Sequence, residues 1–267
     1  MNEDENDFYD LKDNVRKFNP NKLTIKFSGD NREFEKHFLV EYHNKSVNQI
    51  RLALFLALIL YAFFGILDAA LIPDFKYKFW TIRYLIIIPS LLGLLILTFT
   101  RIFKRYMQII SGTLVNISGF GIILIIWFAP PDLSNYYFAG LLLVIIMNYG
   151  FLRLRFIWAT IAGFMVTVGY IIIAFNFIQM PFLLAVVNSF FLVSLNIIGM
   201  FIAYNFEYYA RKNYFSNQLL KIEKVKLRTL NQRLDAKIKD KSAQFVNLNK
   251  EIQKEIDNLS KLEKEQK

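Results

Sequence analysis

Six apolar runs, each close to the length of a membrane span, follow one another between Leu52 and Tyr204 and constrain the fold more than any other feature. A helix needs about 20 apolar residues to cross a bilayer. Lipid offers the backbone no hydrogen-bond partners, so such runs are predicted to be helical. We therefore predict an all-α integral membrane fold with six transmembrane helices, at Leu52–Ile72, Phe79–Thr100, Met107–Ala129, Leu133–Leu152, Phe156–Ile178 and Phe182–Tyr204.

The composition supports a membrane protein and argues against several kinds of chemistry. With 55% hydrophobic residues and a mean hydropathy of +0.31, the chain is too apolar for a soluble protein. It contains no cysteine, no glycine-rich phosphate loop and no HExxH motif. The sequence therefore predicts no metal site, no cofactor and no catalytic residue, and the chain as it stands is not expected to be an enzyme.

Basic residues mark one end of the predicted bundle. They occur in the connections after the second and fourth spans and just after the sixth, whereas the opposite connections hold the prolines. Cytoplasmic loops carry an excess of lysine and arginine, so we expect an inner-membrane protein with both termini in the cytoplasm. The net charge of +10 suits contact with the lipid bilayer, and we expect no nucleic acid partner. The basic residues are Arg101, Lys104, Arg105, Arg153, Arg155, Arg211 and Lys212.

The first 51 residues divide into two parts. Residues 1–31 are acidic at their start and are predicted to be a mobile segment. Residues 32–51 repeat Phe34, Phe38 and Tyr42 at near-helical spacing, which predicts a juxtamembrane amphipathic helix lying at the membrane surface. Alternatively, this helix contacts the C-terminal coil and takes part in signalling.

The last segment, 205–267, is predicted to be a cytoplasmic coiled coil. Apolar residues recur three and four positions apart over about five heptads, and Asn231 at an a position favours two strands. Lys241 and Glu255 at d positions weaken the seam. We predict a parallel homodimer, and a solitary amphipathic helix is the alternative. The seam residues are Leu227, Asn231, Leu234, Ile238, Phe245, Leu248, Ile252, Leu259 and Leu262.

Two ionisable residues lie inside predicted spans, near the proline-containing connections. Asp68 is close to the end of the first span, and Arg83 is close to the start of the second. Charges in lipid must be paired or hydrated, so they form either a salt bridge that locks two helices or the base of a ligand-binding pocket. The candidate pocket residues are Asp68, Arg83, Tyr84, Tyr136, Tyr137 and Asn188.

A second charged group is predicted at the basic end. Arg153 and Arg155 face the exit of the sixth span, where Glu207 and Arg211 stand one helical turn apart. Glu207 pairs either with Arg211 along the helix or with an arginine of the loop. The second arrangement would connect the membrane bundle to the base of the coil, so these four residues are candidates for signal coupling.

The stretches that carry these residues resemble a bacterial six-helix membrane module that precedes class III adenylate or guanylate cyclase domains and other signalling outputs. The resemblance covers roughly residues 33–212. Residues Leu234–Lys267 resemble the coiled linkers that precede PAS or histidine kinase domains. The matching stretches are HNKSVNQIRLALFLALILYAFFGILD (His43–Asp68), Ile82–Tyr84, YYFAGLLL (Tyr136–Leu143), RLRF (Arg153–Phe156) and NIIGMFIAYNFEYYAR (Asn196–Arg211).

The resemblance implies a sensory or regulatory membrane domain and a dimeric linker that transmits its state to a cytoplasmic output. The cyclase's metal-binding aspartates and the kinase's phosphoacceptor and nucleotide motifs have no counterpart here. We therefore expect either a truncated receptor or a free-standing regulator that acts on a cytoplasmic signalling partner by pairing with another coil. A small transporter or channel-like protein with a cytoplasmic assembly coil is the alternative. It would need more charge inside the spans and an internal repeat. A structural membrane scaffold is a third reading.

Overall fold

The protein is almost entirely helical. The computed structural model describes residues 18–28, 32–178 and 180–265, and these ranges contain no strand. Within them, six helices are long and apolar enough to cross a membrane, which confirms the predicted number of spans. The helices are α1 Arg32–Leu71, α2 Lys76–Leu97, α3 Arg101–Phe128, α4 Pro131–Gly150, α5 Phe156–Asn176 and α6 Phe182–Glu265.

Two names describe the ends of the bundle. The proline end carries the turns that contain Pro73, Pro130 and Pro181. The arginine end carries the turn between α2 and α3 and the turn that contains Arg153.

Helix α1 unites the predicted juxtamembrane helix with the first span. It runs from Arg32 to Leu71 in one element, so residues 32–51 are helical and continue without a break into the first span. The physical reason lies in the sequence, because no glycine or proline occurs in 32–51 to break the backbone hydrogen bonds. One continuous helix thus reaches from beyond the arginine end to the proline end.

Helix α3 is the most buried of the six and packs against α2, α4 and α5. Its small residues permit this close approach, as is common between membrane helices. A Cβ atom at Gly119 would lie 2.8 Å from Val166 Cγ1 on α5, and one at Gly121 would lie 2.6 Å from Ile87 Cδ1 on α2. Residues larger than glycine at these two positions would therefore push the neighbouring helices away.

Helix α2 contains a π-helical segment, Thr81–Ile87, between two α-helical parts. Pro89, two residues after its end, cannot donate a backbone hydrogen bond to residue 85, which explains why the regular α pattern is interrupted here. Segments of this kind often occur at functional sites. This one carries Arg83 and turns it into the bundle, where it is buried.

A buried hydrogen-bond network joins α4, α5 and α6 in the interior. Asn196 Nδ2 donates to Thr167 Oγ1 at 2.6 Å and to Leu192 O at 2.9 Å. Its Oδ1 accepts from the Tyr149 hydroxyl at 3.0 Å. Gly163 leaves room for this network, because a Cβ atom there would collide with Asn196 Oδ1 and lie 2.8 Å from the Tyr149 oxygen.

The segment 18–28, which belongs to the predicted mobile segment 1–31, packs on the bundle, and the mobility of the segment stays a prediction. Ile25 and Phe27 are buried, and the Phe27 ring lies 5.8 Å from that of Phe38 on α1. The acidic composition of the first 31 residues hid this apolar anchor, because the acidic residues precede it. Residues 1–17 and 29–31 lie outside the described residues.

The chain divides into two compact units, Met1–Lys212 and Asn213–Lys267. In its described part, the second unit consists of the C-terminal portion of α6. The seam side chains from Leu227 to Ile252 are exposed in this single chain. The structure therefore shows a helix over the predicted coil, and pairing as a coiled coil stays a prediction; the side chains of Leu259 and Leu262 are outside the described ones.

The Asn196 network predicts a cost for filling Gly163. We expect Gly163→Ala to lower the free energy of unfolding by about 2 kcal/mol, because the added methyl group displaces Asn196 and Tyr149 from a packed site. Gly93→Ala is the control, since a Cβ atom there has nothing within 4 Å and alanine favours the helix. Thermal unfolding of purified protein in lipid nanodiscs measures both. Equal stability of the two variants would contradict the proposed packing.

Candidate functional site

A buried ion pair near the proline end joins α1 to α2. Arg83 Nε donates to Asp68 Oδ2 at 2.6 Å, and its Nη2 lies 3.4 Å from Oδ1. The Tyr137 hydroxyl on α4 donates to Asp68 Oδ1 at 2.9 Å. All three side chains are buried. Because opposite charges compensate each other inside the bundle, this group forms a neutral unit that links three helices.

Aromatic rings surround the guanidinium group of Arg83. Its Cζ atom lies 5.4 Å from the ring centre of Phe64 and 5.9 Å from those of Tyr61 and Tyr137. Cation–π contacts of this kind stabilise a desolvated guanidinium group. The rings and Asp68 together hold Arg83 in one orientation.

An apolar cavity of about 70 Å³ adjoins this ion pair. Arg83 and Tyr137 line it near the proline end, and Ala53 and Leu152 line it toward the arginine end. Almost all of the remaining lining is hydrocarbon from α1, α2, α3 and α4. The structure contains the salt bridge that the sequence offered as one of two alternatives and places it at one end of an apolar cleft.

The other predicted pocket residues lie away from this ion pair. Tyr84 packs over Gly65 and donates its hydroxyl to Ala62 O at 3.0 Å. Tyr136 is 65% exposed on the outer side of α4. Asn188 is buried and donates to Asn135 Oδ1 and to the Tyr170 hydroxyl, both at 3.1 Å. Of the six candidates, the structure therefore brings together only Asp68, Arg83 and Tyr137.

The arginine end holds a larger cluster with two positive and two negative side chains, of which one of each sign is fully buried and the other two are half-buried. We call Glu35, Arg155, Glu207 and Arg211 the four-charge cluster. Glu207 Oε1 accepts from Arg155 Nε at 3.0 Å and from Arg211 Nη2 at 2.9 Å. Arg211 Nη1 donates to Glu35 Oε2 at 2.5 Å, and Phe156 N donates to Glu207 Oε2 at 2.8 Å. Glu207 therefore contacts both of the partners that the sequence offered as alternatives, because its carboxylate accepts from Arg155 and from Arg211.

The four-charge cluster is shielded from water by the segment 18–28 and by α1. Arg211 is 0% exposed, and its Cζ atom lies 4.3 Å from the ring centre of Phe38 and 5.3 Å from that of Phe27. Phe27 N also donates to Glu35 Oε2 at 3.2 Å. The segment 18–28 and the start of α1 thus enclose the part of α6 around Arg211, where this helix leaves the bundle.

The pKa values of two residues differ from their ordinary values: Glu35, a member of the cluster, and Tyr42, which lies close to it. Both residues precede the apolar part of α1. Burial tends to raise the pKa of Glu35, but the hydrogen bonds and charge of Arg211 outweigh it and lower that pKa below its ordinary value. Burial and the nearby charge of Glu207 raise the pKa of Tyr42 to about 12. Its hydroxyl therefore stays protonated and donates to Arg153 O at 3.1 Å.

Arg153 has a different role from the other three coupling candidates. Its backbone adopts φ 50°, an uncommon conformation for a residue with a side chain. Its Nε donates to Gln49 Oε1 at 2.6 Å, and its Cζ lies 5.7 Å from the ring centre of Phe206. Arg153 thus fixes the turn before α5 against α1 and α6, beside the four-charge cluster but outside it.

Sequence reasoning missed two residues that complete the arginine end. Glu35 lies outside the apolar repeat of residues 32–51, but it faces Arg211. Gln108 on α3 accepts from Arg155 N at 2.7 Å and so holds the turn from its other side. The sequence signal for Glu35 is its spacing, since it lies three residues before Phe38, which is buried on the same side of α1.

Comparison with known proteins gives no assignment. No protein-family model matches this chain, and no curated protein matches its sequence. The two ionic groups hold charges and hydrogen bonds between helices.

Removing the charge of only one partner of the Asp68–Arg83 pair should destabilise the protein. We expect Asp68→Asn to lower the free energy of unfolding by about 3–5 kcal/mol, because Arg83 remains charged and buried without its counter-ion. The double variant Asp68→Leu, Arg83→Met should recover most of this loss. Unfolding in detergent mixtures, followed by circular dichroism, measures the difference. A double variant that is less stable than the single one would contradict this account.

The Glu35–Arg211 contact predicts a pH-dependent stability. A carboxyl group whose pKa is lowered on folding stabilises the protein above its unfolded pKa, and the contribution is lost as the pH falls through the folded value. We expect Glu35→Gln to lower the free energy of unfolding by about 2 kcal/mol at pH 7, and the difference from wild type to shrink below about pH 4. Thermal unfolding between pH 3.5 and pH 7 checks this.

Glu41→Gln is the matched control for this titration. Glu41 pairs with Lys45 at 2.5 Å on the exposed side of the same helix, and exposed pairs of this kind contribute about 0.3–0.5 kcal/mol. A Glu35→Gln difference that is constant with pH, or no larger than that of the control, would show that Glu35 does not stabilise the cluster.

Proposed function

We propose that this chain is a membrane sensory and dimerisation module that transmits a signal through the C-terminal part of α6 to a cytoplasmic output of the cyclase or kinase type. In this proposal the protein lies in the inner membrane with the arginine end and both termini in the cytoplasm, which the distribution of basic residues favours. The resemblance of residues 33–212 to six-helix sensory modules points the same way.

The observation that carries the proposal is the position of the four-charge cluster. Arg211 and Glu207 lie where α6 leaves the apolar bundle, and their partners come from α1 and from the turn before α5. The same helix continues to Glu265 as the predicted coil. Any change in the relative positions of these elements therefore reaches the one helix that is predicted to contact an output.

The cluster is suited to switching because its partners are interchangeable. Each arginine lies near both carboxylates: Arg155 is 3.0 Å from Glu207 and 3.9 Å from Glu35, and Arg211 contacts both more closely. A small rotation of α6 could exchange these contacts while all four charges stay paired. Such an element with two arrangements of similar energy is what a coupling mechanism requires.

Dimerisation is supported by the seam of the second unit. Its apolar a and d side chains, among them Ile238, Phe245 and Ile252, are exposed in the single chain. A second copy would bury them by the packing that heptad sequences favour. The weak positions Lys241 and Glu255 would allow this coil to loosen or shift register.

Crosslinking of single cysteines tests the dimer. The chain has no native cysteine, so cysteine placed at Ile238, Phe245 or Ile252 gives an unambiguous signal. We expect disulfide-linked dimers at these a positions in native membranes and little crosslinking with Ala243→Cys, which lies at an f position on the opposite face. Absence of dimers at all three a positions, or equal crosslinking at Ala243, would contradict the proposal.

The same cysteine variants test transmission. Glu207→Gln leaves the four-charge cluster with an excess positive charge, and we expect it to change the ratio of crosslinking yields among the three a positions. Glu41→Gln, in the exposed pair on α1, should leave the ratio unchanged. A folded Glu207→Gln protein with the wild-type crosslinking pattern would show that the cluster does not control the coil.

A further inference from the structure

The cavity beside Arg83 opens between α1 and α4. Its lining residues from α2 and α3 are buried, whereas the described lining residues that are half-buried or exposed all belong to α1 and α4. An opening between two membrane helices leads to the surrounding lipid, so a ligand would enter from the bilayer. The residues at this opening are Ala57, Leu60, Phe64, Gly140, Leu143 and Met147.

The length of the cavity lining suits one extended hydrocarbon chain. Along α1 the lining runs from Ala53 to Phe64, which is about 16 Å at 1.5 Å per residue. The enclosed volume of about 70 Å³ is less than half of the roughly 150 Å³ of an engineered apolar cavity that binds benzene. The enclosed part is therefore too small for a ring system, and most of an extended chain would lie along the opening between α1 and α4.

Arg83 supplies the polar end of the site. A guanidinium group has five N–H donors, and two of those on Arg83 reach Asp68. Among the described residues none accepts from the other three, although the side chain is 97% buried and lines the cavity. A buried donor without an acceptor is unfavourable, so an oxygen atom in the cavity would complete its hydrogen bonding.

The charge balance selects the kind of oxygen. Asp68 already neutralises Arg83, and a second carboxylate would place an uncompensated negative charge among apolar helices. A neutral acceptor, such as the carbonyl oxygen of an ester or ketone, satisfies the donors without adding charge. The site therefore favours neutral lipophiles over fatty acid anions.

We propose that this cavity binds a neutral, single-chain lipophile, with a carbonyl oxygen that accepts from Arg83 and a hydrocarbon tail that extends toward the arginine end. Binding is independent of the proposed function. Only the further step, that this ligand is the stimulus of the sensor, rests on it.

Photoaffinity labelling of the whole protein in phosphatidylcholine nanodiscs tests the binding. The probes are two diazirine derivatives of methyl palmitate, one with the diazirine beside the ester and the other with it at the end of the chain. We expect the first to label residues near Phe64 and Tyr137 and the second to label residues near Leu54 and Leu152. Mass spectrometry locates the labels.

Competition with unlabelled compounds tests the recognition of the carbonyl group. Methyl palmitate should displace the probes about ten-fold or more better than hexadecane, which has no acceptor, and better than palmitate, which is anionic. In the double variant Asp68→Leu, Arg83→Met, the ester should lose its advantage over hexadecane. If that variant does not fold, the three competitors on wild-type protein decide the question.

Filling the cavity tests its location. Ala57→Phe should reduce labelling about ten-fold by occupying the cleft, whereas Ala139→Phe, an exposed alanine of α4 outside the lining, should leave it unchanged. Labelling that cannot be saturated, that is the same for both probes, that survives Ala57→Phe, or that is displaced equally by hexadecane would overturn the proposal. Stronger displacement by palmitate would also overturn it, in favour of an anionic ligand. None of these readouts depends on the coil.

Discussion

Charge neutrality inside the bundle is the constraint on which the arrangement of this protein depends. A buried charge is tolerated only next to a counter-charge, and the two buried ionic groups obey this rule separately. Asp68 balances Arg83 at the proline end, and two carboxylates balance two guanidinium groups at the arginine end. Because the partners come from different helices, neutrality also fixes which helices are neighbours. The positions of α1 against α2, and of α6 against α1, follow from this requirement.

The parts of the fold that depend on length and charge could be predicted from the sequence. Apolar runs of span length give six helices because lipid leaves the backbone no alternative. The Asp68–Arg83 contact was predictable because both charges stand close to one short turn and neither can remain alone. For Glu207 the sequence left two partners open, and the structure contains both, since a carboxylate can accept several hydrogen bonds.

The parts that depend on side-chain direction could not be predicted in the same way. Tyr84 lies one residue after Arg83 but points toward Gly65, because successive side chains on a helix point about 100° apart. Glu35 lies three residues before Phe38, which indicates a residue near the packed side of α1, but only the tertiary contact shows that its partner is Arg211. The packing of the segment 18–28 depends on the burial of Ile25 and Phe27. The composition of residues 1–31 does not indicate this burial, because acidic residues dominate it.

Helix α1 contributes one carboxylate to each of the two ionic groups. Asp68 and Glu35 lie about 33 residues apart on it, or about 50 Å along its axis. A helix of this kind transmits displacement along its length, so a ligand that separates α1 from α4 beside Asp68 would also move Glu35. At Glu35 the movement meets Arg211, whose alternative partner Glu207 is already in contact. In the proposed function, α1 would therefore carry the stimulus and α6 would receive it. This order gives a physical reason why a glutamate far from the apolar part of α1 is held against the exit of the last span.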